Sequence, residues 1–137
     1  MIGAGFAGAS TSAALARAGV TRGLILEREL LAGTHASGRN AAIARQLESD
    51  SQLVRLAVQG TRLLGMRKVD GRPVLTRTGG LYLLHGDSAW AAEPLHKLHA
   101  QRVPAELMEA EDALRRFPHL TRFGFDQAIF CPTEGGG

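Results

Sequence analysis

Six residues at the head of the chain, Gly3-Ala4-Gly5-Phe6-Ala7-Gly8, constrain its fold more than any other feature. The first glycine of such a run permits a tight turn. The second lets backbone approach a bulky group with no Cβ in the way, and the third lets a helix lie close to a strand. The pattern therefore joins the end of a strand to the start of a helix. Only Met1 and Ile2 precede it, whereas strands usually run to about 5 residues. The chain thus reads as an internal segment, cut inside its first strand and again at Glu134-Gly135-Gly136-Gly137.

After the turn, Phe6 to Gly19 reads as a helix whose small residues Ala9, Ser12, Ala13 and Ala16 let it approach a sheet, with Gly19 as its stop. Gly23-Leu24-Ile25-Leu26-Glu27 then reads as a short, fully buried strand. A helix N-terminus reached through glycines attracts a pyrophosphate, because its first N–H groups lack helical partners and its dipole is positive there. Glu27 lies 19 residues beyond Gly8, where a carboxylate accepts hydrogen bonds from an adenosine ribose and repels a 2′-phosphate. Together these features point to a dinucleotide. The alternative is a structural glycine turn beside a surface Glu.

Bulk properties narrow the classes. At 137 residues the chain can form one core, burying roughly two-thirds of its unfolded surface. Its 45% hydrophobic and 21% charged content is that of a globular protein rather than a disordered one. The net charge is +3, and the basic pairs Arg67-Lys68 and Arg115-Arg116 form no stripe, which argues against nucleic acid. Arg17, Arg22 and Glu27 interrupt the apolar start before it reaches the ~20 residues of a membrane span, and no basic segment precedes it as in a signal peptide. With Cys131 as the single cysteine, no internal disulfide or cysteine-based zinc site forms, consistent with a reducing, cytoplasmic location.

Further along, residues 31–41 read as a loop, and Leu53, Leu56, Ala57, Leu63 and Leu64 recur at helical spacing over 51–66. Asp70-Gly71-Arg72-Pro73 reads as a linker, and there the pattern changes, dividing the chain into 1–70 and 71–137. Strands are expected at 81–84, 106–108 and 125–131, and helices at 88–102, with Ser88 as N-cap, and 110–117.

The pieces IGAGFAGAS…ALARAG, LILERE, GTHASGRNAA, TGGLYLL, MEAEDALRRFPHL and FCPTEGGG make the chain similar to the D-amino-acid-oxidase-like family. This family of FAD-dependent amine and amino-acid oxidoreductases includes glycine oxidase, sarcosine oxidase and D-amino-acid dehydrogenases. The resemblance implies an α/β fold, a Rossmann-like FAD-binding βαβ unit within a partial FAD-binding domain, 1–70, followed by the start of a mixed α+β substrate domain, 71–137. It places the adenosine half of FAD on Gly3, Gly5, Phe6, Ala7, Gly8, Glu27 and Arg28. Ser37, Gly38, Arg39 and Asn40 then run beside the pyrophosphate and ribityl chain. Arg39 suits a phosphate because its guanidinium binds one bidentately. For His35 two readings stay open: a catalytic residue that contacts substrate or the flavin ring, or a histidine that orients the loop. The reaction implied is hydride transfer from the carbon of a C–N bond to flavin, with an amine or amino acid as substrate.

Other residues read as structural. His96 and His99 stand three apart on a helix without further metal ligands, so no metal site is expected. His85, His119 and Cys131 are read as structural or incidental. Glu109, Glu111 and Asp112 form an acidic helix start, and Trp90 with its neighbouring leucines is read as core. Three further functional readings remain: an inactive flavin-binding fragment, an NAD-linked reductase, which needs another βαβ crossover after Glu27, and a basic binding module.

Overall fold

The computed structural model describes residues 1–86 and 89–137, and the expected cap Ser88 lies outside them. The chain forms two compact units, Met1–Ala41 and Ala42–Gly137.

In the first unit, helix α1 (Phe6–Arg17) follows the glycine turn and gives way to Gly19 at φ +92°, a left-handed conformation that glycine adopts without steric penalty. Ile2 and Leu26 then form a parallel bridge, with the Leu26 N–H on the Met1 carbonyl at 3.0 Å and the Gly3 N–H on the Leu26 carbonyl at 2.8 Å. This is a Rossmann-like βαβ unit in a short form. The strand expected over 23–27 is reduced to that bridge, because the ladder extends no further than the residues in front of the turn. It is not buried either: Leu24 is 70% and Leu26 57% exposed. A parallel strand is buried when layers cover both faces, and α1 is the one α-helix of this unit among the described residues.

The second unit is mixed α+β. Its elements are β1 (Ile43–Ala44), α2 (Ser51–Gly65), β2 (Lys68–Val69), β3 (Arg72–Pro73), β4 (Thr76–Arg77), β5 (Gly80–Leu84), α3 (Ala92–Ala100), β6 (Glu106–Glu109), α4 (Ala110–Arg116), β7 (Gln127–Cys131) and β8 (Gly135–Gly136). A 3₁₀ turn, Ala89–Ala91, leads into α3. One antiparallel sheet has the order β5-β7-β6, pairing Leu81 with Phe130 and Leu107 with Ile129; a second has the order β1-β8-β4. Leu47, Val54, Val58, Leu84, Leu98 and Ile129 belong to one hydrophobic cluster, so this core lies in the second unit. Compactness puts α2 with the later elements; a division at residue 70 is one of role, which compactness does not decide.

Three expectations are corrected here. Residues 70–73 are not a linker: Asp70 and Gly71, both at positive φ, close a two-residue hairpin between β2 and β3, the turn that an Asp-Gly pair favours. Helix α2, capped by Asp50 through the Gln52 and Leu53 N–H groups, buries Val54, Val58 and Thr61. The expected stripe is turned outward, with Leu53, Leu56, Leu63 and Leu64 at 41–57% exposure. The compact row at i, i+4, i+7 fits the core, and Thr61 satisfies its hydroxyl on the Ala57 carbonyl at 2.9 Å. Trp90 is not core either, being 54% exposed beside the fully buried Ala91.

Candidate dinucleotide-binding site

The site grows from the first turn of α1. Gly5 is its N-cap, in extended conformation and with no side chain to offer, and the first helical hydrogen bond runs from the Ala9 N–H to the Gly5 carbonyl at 2.9 Å. The N–H groups of Gly5, Ala7 and Gly8 precede that bond and gather at the positive end of the helix dipole. The Phe6 N–H donates to Ser37 Oγ at 2.9 Å. Gly3 sits at φ +90°, and a Cβ on Gly8 would lie 1.9 Å from the Gly3 carbonyl oxygen. Turn and helix therefore pack more closely than any side chain allows. A Cβ on Gly5 would come within 2.9 Å of Ser37 Oγ.

Glu27 faces this turn. Its Oε2 accepts the Ala4 N–H at 2.7 Å, while Oε1 accepts the N–H groups of Arg28 at 2.8 Å and Glu29 at 3.0 Å. These bonds, the Glu29 N–H foremost and then that of Ala4, hold its carboxyl below the usual glutamate range. A carboxylate oxygen has two lone pairs, so Oε2 keeps room for a ribose hydroxyl. Gly3, Gly5, Gly8 and Glu27 thus surround one helix start.

Beside it lies a cleft of about 200 Å³, lined by Gly5, Glu27, Glu29, Thr34, His35 and Ser37 among others. That volume falls below the roughly 300–1,000 Å³ of sites that take a whole drug-sized ligand, so it suits one portion of a dinucleotide. His35 Nε2 lies 3.0 Å from Glu29 Oε1, which also receives Arg28 Nε at 3.1 Å and Nη2 at 2.8 Å. His35, foremost, and Arg28 hold the Glu29 carboxyl below its usual range. Ser37 and Gly38 belong to a 3₁₀ turn, Ala36–Gly38, wound so tightly that a Cβ on Gly38 would lie 2.4 Å from the Gly33 carbonyl oxygen. The Asn40 amide donates to the Ser37 carbonyl. Arg39 is exposed and makes no ion pair among the described residues. Phe6 and Ala7 are exposed and contribute backbone to the helix start.

Of the expected residues, the cleft gathers Gly5, Glu27, His35 and Ser37; Arg28, Gly38, Arg39 and Asn40 do not line it. Sequence reasoning passed over Glu29. Its signal was the spacing of two from Glu27, which puts alternate residues of an extended segment on one side. Elsewhere, no cluster of metal-binding side chains occurs among the described residues, and His99 Nε2 lies 2.7 Å from the Ala105 carbonyl. Cys131 is fully buried, and burial, with Glu134 secondarily, pushes its thiol up to about 12, far from a reactive thiolate.

This geometry fits the adenosine end of a dinucleotide. The family profile DAO, FAD dependent oxidoreductase, matches residues 1–136, and the chain belongs to that family. A solved L-proline dehydrogenase from P. horikoshii is similar in structure, with a TM-score of 0.80 at 23% identity, over 99% of this chain and 36% of that one. The chain therefore spans about a third of the length of that relative. No curated protein matches the sequence. No helix among the described residues is long and apolar enough to cross a membrane.

The residues present fit the adenosine diphosphate end of FAD. The free first-turn N–H groups suit the pyrophosphate, the glycine turn leaves no Cβ in its path, and Glu27 suits the ribose.

Proposed function

We propose that this chain supplies the adenosine-binding portion of an FAD-dependent oxidoreductase that oxidises the C–N bond of an amine or amino acid. The observation that carries the reading is the Glu27 carboxylate held 2.7 Å from the Ala4 N–H at the glycine-bounded start of α1. FAD, when bound, supplies the hydride acceptor. The chain's own part is to bind and orient: α1 and Arg39 neutralise the pyrophosphate, and Glu27 fixes the ribose hydroxyls. By role, residues 1–70 then serve the flavin and 71–137 begin the substrate portion. The amino-acid class follows the resemblance to glycine oxidase, sarcosine oxidase and D-amino-acid dehydrogenases; the L-proline dehydrogenase neighbour is in keeping with it.

Of the two readings of His35, its 3.0 Å contact with Glu29, beside Glu27, supports the one in which it orients the loop. The substrate class is tested by anaerobic reduction of bound flavin in the complete protein that carries this segment. Bleaching by one or more amino acids or secondary amines is expected. Bleaching by 2-hydroxy acids and by no amine contradicts the C–N assignment.

A further inference from the structure

We propose that Glu29 and His35 form a latch that seats the Gly33–Asn40 loop on the start of α1, making Glu29 a positioning residue for the cofactor. The inference rests on the FAD reading of the cleft.

The loop is fastened at two points two residues apart. His35 meets Glu29 Oε1 at 3.0 Å, and Ser37 Oγ accepts the Phe6 N–H at 2.9 Å. Between them the chain cannot spread, because the Gly38 N–H is bonded to the His35 carbonyl at 3.1 Å and Gly38 abuts Gly33. Moving His35 therefore moves the Ser37 hydroxyl against the helix. The other half of the latch is also held: the Glu29 N–H donates to Glu27 Oε1 at 3.0 Å, and Arg28 grips the Glu29 carboxylate. Glu29 is thus tied to the ribose-side carboxylate on one side and to the phosphate-side loop on the other.

The charged groups around the imidazole are Glu29 in contact, Glu27 within electrostatic reach and Arg28, which shares the same Glu29 oxygen. Protonating His35 turns its hydrogen bond to Glu29 into an ion pair, so acidification tightens the latch. A cationic His35 acting directly on the pyrophosphate would give the same direction of pH dependence, and replacing Glu29 separates the two. In the latch, Glu29→Gln removes the ion pair and flattens the pH response. In direct attraction, it removes a competing negative charge, so affinity rises and the response persists.

The test uses Glu29→Gln and His35→Gln variants and two readouts, the first in the 137-residue chain and the second in the complete protein that carries it. The first is the Phe6 amide, followed by NMR hydrogen exchange without ligand. The second is FAD affinity by flavin fluorescence at about pH 6 and about pH 8, between which the pyrophosphate keeps its charge. Both variants are expected to speed Phe6 exchange, weaken FAD binding at the lower pH by about two- to fivefold, the scale of a partly exposed ion pair, and lose most of the pH dependence. Unchanged Phe6 exchange in Glu29→Gln overturns the latch whatever FAD does, and so does FAD binding that is unaltered or tighter in that variant. Faster Phe6 exchange with no FAD binding by any form leaves the latch standing and removes the cofactor reading instead.

Discussion

Ser37 and Glu27 act on the start of one helix from opposite ends of the sequence motif: the hydroxyl takes the Phe6 N–H and the carboxylate takes that of Ala4. Neither bond was legible in the sequence, although the residue types were, since loop closure decides which N–H each oxygen meets. The lowered pKa of Glu27 carries a sign. A carboxyl whose folded value is depressed contributes above its ordinary value and is lost as pH falls through the folded one. The Ala4 amide resonance should therefore shift with a midpoint below the ordinary glutamate value of 4.5; a midpoint at or above it would break the assigned bond. Arg39, exposed and without an ion pair among the described residues, is free to meet a phosphate. Arg39→Ala in the complete protein should weaken FAD binding about ten- to hundredfold, the equivalent of one charge-assisted contact of roughly 1.5–3 kcal/mol. Unchanged affinity on titration would remove Arg39 from the site.

At the scale of elements, a buried carboxylate joins the second unit. Glu134, 1% exposed, accepts the Gln46 N–H at 2.5 Å, the Leu47 N–H at 3.1 Å and the Tyr82 hydroxyl, shared between its oxygens at 2.8 and 2.9 Å. The Gly79 N–H meets its backbone carbonyl at 3.0 Å. Burial, then Glu134, pushes the Tyr82 phenol upward, so it stays a donor. One residue thereby ties the segment after β1 and strand β5 to the turn before β8. Gly80 must lack a side chain, since a Cβ there would lie 1.9 Å from Glu134 Oε2. Glu134→Ala orphans three donors at about 1–3 kcal/mol each, so denaturant titration should show a loss of at least about 3 kcal/mol. Tyr82→Phe should cost less, about 1.5–3 kcal/mol. A Glu134→Ala loss under 1 kcal/mol would mean that water replaces the carboxylate. Helix α2 shows why pattern alone misplaced a face: leucines at helical spacing mark an amphipathic helix, but Val54 and Val58 are the residues that reach the core.

Across the whole molecule, local signals were legible and long-range ones were not. The glycine turn, α1, the helix at 51–65 and strands β5 to β7 are written in short stretches. The pairing of β8 with both β1 and β4 depends on Gly135, where a Cβ would lie 2.0 Å from the Thr76 carbonyl oxygen, a contact no local pattern announces. Burial of 23–27 was overstated because a buried parallel strand depends on covering layers, which a short apolar run does not reveal. The central claim is that the turn at Gly3–Gly8 receives the pyrophosphate of FAD. Its most direct measurement is the flavin absorbance of Gly5→Val in the complete protein, with circular dichroism to confirm the fold. Valine puts a side chain in the phosphate's path and pushes the Ser37 hydroxyl off the Phe6 N–H, so the folded variant should purify colourless beside a yellow parent. A folded Gly5→Val protein with its full complement of flavin would contradict the claim.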